Sequence, residues 1–73
     1  MANGEITKAL ISCLNGDSVD TVKFFTLYPQ TDNIKNAIYE LKRKGYLNID
    51  EGDNRILCIS ATSKLLKLAK EVQ

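Results

Sequence analysis

Apolar positions along this chain follow two rhythms, and the switch between them predicts the elements. Ile6, Ala9, Leu10, Cys13 and Leu14 keep the i, i+3, i+4, i+7, i+8 spacing of a single helical stripe, which predicts a first helix over residues 4–15. Asn3 is placed to cap it, and Glu5 in the first turn suits the helix dipole. Asn15-Gly16 reads as its stop, since glycine tolerates the left-handed conformation at a helix end. Ser18-Val19 reads either as a very short strand or as the approach to a second helix. Asp20 is a good cap for that helix, over about 21–27, which Val22, Phe24, Phe25 and Leu27 make densely apolar. Phe24 and Phe25 cannot both face one side. Pro29 ends the segment, because the residue before a proline disfavours helical geometry.

After the turn at Gln30, Thr31 or Asp32 caps a third helix running to about Lys44, with Ile34, Ala37, Ile38 and Leu41 on one side and Gly45 closing it. The rhythm then changes. Residues 46–50 alternate in character, Glu51, Gly52, Asp53 and Asn54 form a polar loop, and residues 55–59 read as a second strand, so a hairpin is expected. The second strand is apolar on both faces, which calls for cover on each side. Ser60 or Thr62 opens a last helix ending near Val72, with Leu65, Leu68, Ala69 and Val72 as its core stripe. Leu66 falls off that stripe, and Lys64, Lys67 and Lys70 fill the polar side.

With 73 residues, one domain spanning 1–73 is the expectation, mostly α with a small β-hairpin (α+β). No apolar run approaches the roughly 20 residues of a membrane span. The N-terminus lacks a basic segment followed by a long apolar one, so no secretory signal is read and a cytoplasmic location is expected. Net charge is only +1, which argues against purely electrostatic binding of nucleic acid. Its distribution matters more. Residues 1–29 sum to −1 and residues 48–73 to 0, while residues 30–47 carry Lys35, Lys42, Arg43 and Lys44 against Asp32 and Glu40, a local +2.

Candidate chemistry is sparse. There is no histidine and no CxxC pair, so a structural zinc site is not expected. The two cysteines, Cys13 and Cys58, sit at apolar positions and read as buried thiols in a reducing cytoplasm; a disulfide between the first helix and the last strand is the alternative. The carboxylates are scattered through turns and helix starts, where capping accounts for them. Neither GxxxxGK[ST] nor GxGxxG is present. No catalytic residue, cofactor or small-molecule pocket is legible, and an enzyme is not expected.

The order helix, short strand, helix, helix, strand, strand, helix resembles the winged-helix domain, a helix-turn-helix variant whose hairpin forms the wing. The resemblance covers about residues 4–72. It is carried by Ile34, Ile38 and Leu41, which lie 11, 7 and 4 residues before Gly45, by the Tyr46-Leu47 pair that follows, and by Ile59-Ser60-Ala61-Thr62 leading into the last helix. One departure is the turn Leu27-Tyr28-Pro29-Gln30, where the family usually carries small or aliphatic residues. The resemblance implies a double-stranded DNA-binding protein, a transcriptional regulator of a prokaryote, virus or plasmid, with the third helix in the major groove.

On a helical wheel at about 100° per residue, Asp32, Asn36, Tyr39 and Arg43 stand opposite the apolar stripe, flanked by Lys35 and Lys42, with Lys44 at the end. Asn can hydrogen-bond adenine and Arg guanine in two places each, and Lys and Tyr reach phosphates. The expected DNA-contacting set is therefore Thr31, Asn33, Lys35, Asn36, Tyr39, Lys42, Arg43 and Lys44 on the helix, with Asn54 and Arg55 on the wing. Asp32 and Glu40 count against it, the first explained as a capping residue and the second by an i,i+4 ion pair with Lys44. Asp50, Glu51 and Asp53 weaken the wing. The bland alternative is a solvated helix face and an ordinary polar turn. Phe24, Phe25, Tyr28 and Leu66 are candidates for surplus apolar surface, and a homodimer contact is one use for it. The competing reading is a winged-helix protein-protein interaction module or a scaffolding homodimer that does not bind DNA.

Overall fold

The computed structural model describes residues 2–72, with side chains from Gly4 to Glu71. Among the described residues the chain forms α1 (Ala2–Ser12), β1 (Leu14–Asn15), β2 (Ser18–Val19), α2 (Thr21–Leu27), α3 (Asp32–Arg43), β3 (Leu47–Gly52), β4 (Arg55–Ala61) and α4 (Ser63–Val72). The four helices pack on a four-stranded antiparallel sheet of order β1-β2-β4-β3. No described helix is long and apolar enough to cross a membrane.

The periodic stripes place the core. Ile6 and Leu10 of α1 and Cys13 just beyond it meet Phe24 of α2, Ala37, Ile38 and Leu41 of α3, Ile56 and Ile59 of β4, and Leu65 of α4. Fully burying an aliphatic or aromatic side chain contributes about 1.5–3 kcal/mol. Ile38 and Leu41, at 0% and 4% exposure, therefore anchor α3 far more firmly than its surface ion pair does. That pair, Lys44 to Glu40 at 3.6 Å, forms as expected but lies in solvent, where such contacts contribute a few tenths of a kcal/mol.

Several boundaries differ from the sequence reading. The first helix ends at Ser12, not residue 15, and Asn3 lies within its first turn, so it does not cap; the side chains of Asn3 and Val72 lie outside the described residues. Leu14-Asn15 and Ser18-Val19 instead pair as a two-residue-loop hairpin, with Gly16 at φ 69. Glycine at φ > 0 at the head of a two-residue loop matches the twist of the strands it joins. Asn15-Gly16 is thus a strand turn, not a helix stop. The second hairpin is also tighter than expected. Gly52 pairs with Arg55, so only Asp53 and Asn54 turn the chain, at φ 53 and 63. Asp and Asn tolerate that left-handed region better than other side chains, and a type I′ turn requires it twice.

The largest correction concerns β4. The register slips between Asp50 and Glu51, whose partners are Cys58 and Ile56, leaving Leu57 as the extra residue of a β-bulge. Strict alternation would put Cys58 on the same face as Ile56. With one residue inserted, Ile56 and Ile59 both point into the core, and Leu57 and Cys58 both face out. Cys58 is therefore an exposed free thiol, Cys13 a buried one, and they are not joined. Leu57 is 47% exposed, so the second face of β4 is not fully covered. The surplus apolar surface lies at Val22, Leu27 and Leu57, not at the residues expected. Phe24 is fully buried, Phe25 meets it edge-on at 5.2 Å and Tyr28 stacks on it at 5.4 Å. Leu66 is half-buried.

Candidate nucleic-acid interface

Both ends of α3 are built from local chemistry. At its start the Thr31 hydroxyl accepts from the Ile34 amide at 3.4 Å, so Thr31, not Asp32, is the cap. Asp32 stands exposed in the first turn, where the dipole favours a carboxylate. At its end the Tyr46 amide donates to the Leu41 carbonyl and the Gly45 amide to the Lys42 carbonyl, each at 3.0 Å, with Gly45 at φ 88. This paired closure is the Schellman motif, and only Lys44, Gly45 and Tyr46 separate α3 from β3. The Thr62 hydroxyl donates to the Gly45 carbonyl at 2.6 Å, accepts from the Leu65 amide, and so ties the start of α4 to the same corner.

With the apolar side buried, Asn33, Asn36, Lys42, Arg43 and Lys44 are exposed, and Lys35, Tyr39 and Glu40 are half-buried. Asn36 and Arg43 stand on the outward ridge. Two of the other expected residues, Lys35 and Tyr39, are bonded to the hairpin. The Tyr39 hydroxyl donates to a Glu51 carboxylate oxygen at 2.8 Å, and the Lys35 ammonium donates to the Asn54 carbonyl at 2.8 Å. The hydrogen bond to Glu51, with minor desolvation and the negative charge itself, holds the Tyr39 phenol above its ordinary value of 10.0. Lys35 and Tyr39 lie four residues apart on one flank of α3, so the hairpin is clamped along that flank. Asn54 is brought to the helix through its backbone. Arg55 is not brought to it: its side chain lines a shallow depression with Val22, Phe25 and Leu57 beside α2.

A third clamp was not legible in sequence. The Gln30 side-chain amide donates to the Ile56 carbonyl at 2.9 Å and accepts from the Ile56 amide at 3.0 Å. Its carboxamide pairs with β4 as a peptide group of a neighbouring strand would. The turn Leu27-Tyr28-Pro29-Gln30, which departs from the usual pattern, is thus a strut between the entry to α3 and the hairpin. Its partner lies 26 residues away, and no local signal points to it. Lys64, on the polar side of α4, also has partners that its place in the sequence does not indicate. Its ammonium donates to the Lys44 carbonyl at 2.8 Å and lies 4.6 Å above the Tyr46 ring.

The arrangement is suited to recognition. The outward ridge offers one amide and one guanidinium, each able to make paired hydrogen bonds to a base edge, on a helix held rigid at both ends. No group of His, Cys, Asp or Glu among the described residues is placed to hold a metal ion. The chain matches no protein-family model, no curated protein and no solved structure. What the site does must be read from its own side chains.

Proposed function

We propose that this protein adopts a winged-helix fold and binds double-stranded DNA, with α3 in the major groove and the β3–β4 hairpin as the wing. In this reading it is a small transcriptional regulator. The observation that carries it is the exposed pair Asn36 and Arg43 on the outer ridge of α3, beside a hairpin clamped to the same helix. Asn36 and Arg43 read base edges, while Lys42 and Lys44 take phosphates. Lys35 and Tyr39 serve mainly to seat the hairpin. A monomer of this size buries little of its target, and two copies on adjacent half-sites would double the contact.

The test is selection of duplex oligonucleotides by the purified protein, followed by anisotropy titration at low salt. Arg43→Ala and Asn36→Ala should each weaken binding to the selected site by about 1–3 kcal/mol while affecting random duplex less. Failure to enrich any sequence, together with no duplex binding at low salt, would refute the reading.

A second reading is favoured by a separate observation. The hairpin carries Asp50, Glu51 and Asp53 against Arg55 alone, and Val22 and Leu57 expose apolar surface beside it at 80% and 47%. A protein-protein interaction module would use those features. Salt separates the two: duplex binding falls steeply between about 50 and 200 mM, whereas an apolar protein contact changes little.

A further inference from the structure

Charge is divided unevenly along the outer side of α3. At the N-terminal end stand Asp32 and, on the hairpin clamped there, Asp50, Glu51 and Asp53. The cations at that end are Lys35, which already gives its ammonium to the Asn54 carbonyl, and Arg55, which lines the depression beside α2. At the C-terminal end stand Lys42, Arg43 and Lys44, and the first turn of α4 adds Lys64. The carboxylate fixed at this end is Glu40, 3.6 Å from Lys44.

We propose that this corner, where α3 ends and α4 begins, is the phosphate-gripping part of the interface, with Lys64 as a direct backbone contact, and that the hairpin takes no phosphate. The proposal rests on the duplex-binding reading above and extends it to a residue on another helix. Two features set Lys64 apart from the other exposed lysines of α4. First, its long side chain is pinned: one N–H goes to the Lys44 carbonyl, and the ammonium sits over the Tyr46 ring. A lysine already held in place loses less rotamer freedom when it meets an anion. An ammonium has three donors, so the Lys44 carbonyl leaves others for a phosphate oxygen. Second, it is bonded to the backbone of Lys44, which crowds like charges beside Lys42 and Arg43. A phosphate at this corner relieves that crowding. At the hairpin, three carboxylates repel one.

The asymmetry sets the pose. The duplex backbone lies against the Gly45 corner, and the hairpin stays clear of it, steadied through Tyr39 and Lys35 without gripping DNA itself.

The experiment is a fluorescence-anisotropy titration of a labelled mixed-sequence duplex with the full chain over a series of NaCl concentrations. Four variants are compared: Lys64→Gln, Lys64→Arg, Lys70→Ala and Arg55→Ala. The slope of log K against log salt counts the phosphates neutralised, at about 0.9 per contact. Lys64→Gln, which keeps a donor at that position, should lower the slope by about one contact, and Lys64→Arg should restore it. Lys70→Ala and Arg55→Ala should leave it unchanged. Urea midpoints measured on the same samples separate loss of contact from loss of fold. Wild-type binding with an unchanged slope in Lys64→Gln overturns this inference alone, as does a lowered slope in Arg55→Ala. Absence of wild-type binding at low salt overturns the duplex reading and this inference with it.

Discussion

Replacing Gln30 with alanine tests the strut that joins the α2–α3 turn to the hairpin. The substitution removes two hydrogen bonds, of 2.9 and 3.0 Å, and leaves both backbone groups of Ile56 without that partner. Each such bond contributes about 0.5–1.5 kcal/mol net. The site is half-buried, so water reaches it and the full penalty of a dry orphaned group does not apply. The expected loss is therefore about 1–3 kcal/mol. A chain of 73 residues at roughly 0.05–0.15 kcal/mol per residue has about 4–11 kcal/mol in all, so the loss is a sizeable fraction. Urea denaturation followed by circular dichroism would measure it, with a drop in thermal midpoint of about 4–8 °C for each kcal/mol. Gln30→Glu refines the test. A carboxylate still accepts from the Ile56 amide but faces the Ile56 carbonyl with no proton to offer. That variant should be destabilised at neutral pH and recover as pH falls through the raised folded value of the glutamate, fully so below its ordinary value of about 4.3. A Gln30→Ala protein within about 0.5 kcal/mol of wild type, the scatter of ordinary surface changes, would show that the strut carries no weight.

Other expectations follow from single contacts. The raised Tyr39 phenol means that its link to Glu51 stabilises the fold fully below pH 10.0 and is lost as pH rises through the higher folded value. Absorbance titration near 295 nm, as the difference between wild type and Tyr39→Phe, should show a late-titrating tyrosine, and Glu51→Gln should bring it earlier; an unmoved titration would refute the link. Phe24→Ala removes a fully buried ring with two aromatic neighbours and should cost about 3–5 kcal/mol in denaturant, close to unfolding the protein. A thiol reagent under native conditions should modify Cys58 quickly and Cys13 only after unfolding, and equal rates would contradict the bulged register of β4. Asn54→Val places a β-branched residue at φ 63 and should destabilise the hairpin by about 1–2 kcal/mol, whereas Asn54→Gly should be tolerated; equal stability of the two by urea denaturation would refute this.

The elements that sequence made legible are those long enough to show a period. Ile34, Ala37, Ile38 and Leu41 repeat over two turns, and α3 with its buried side and its polar ridge could be drawn from them. The caps at Thr31 and Thr62 and the stop at Gly45 were within reach because each depends on neighbours a few residues away. Two-residue strands have no period, so β1 stayed hidden behind an Asn-Gly pair that serves helix ends and strand turns alike. The bulge at Leu57 was invisible because register is a property of two strands together, and it reversed the expected side of Cys58. In the candidate site, Asn36 and Arg43 could be placed from the helical wheel. The commitments of Lys35, Tyr39 and Lys64 could not, since each partner lies 12 to 20 positions away.

Among the described residues, the interior holds no polar or charged side chain. An interior of hydrocarbon, aromatic ring and one thiol has little directional preference, and similar volumes in another order would fill it about as well. Uniqueness is then left to the bends: Gly16, Gly45, Asp53 and Asn54 hold rare backbone angles that dictate where each segment must reverse. Random mutagenesis should find the interior permissive to aliphatic exchange and these four positions stubborn. Drift in this lineage would accordingly preserve its corners longer than its filling.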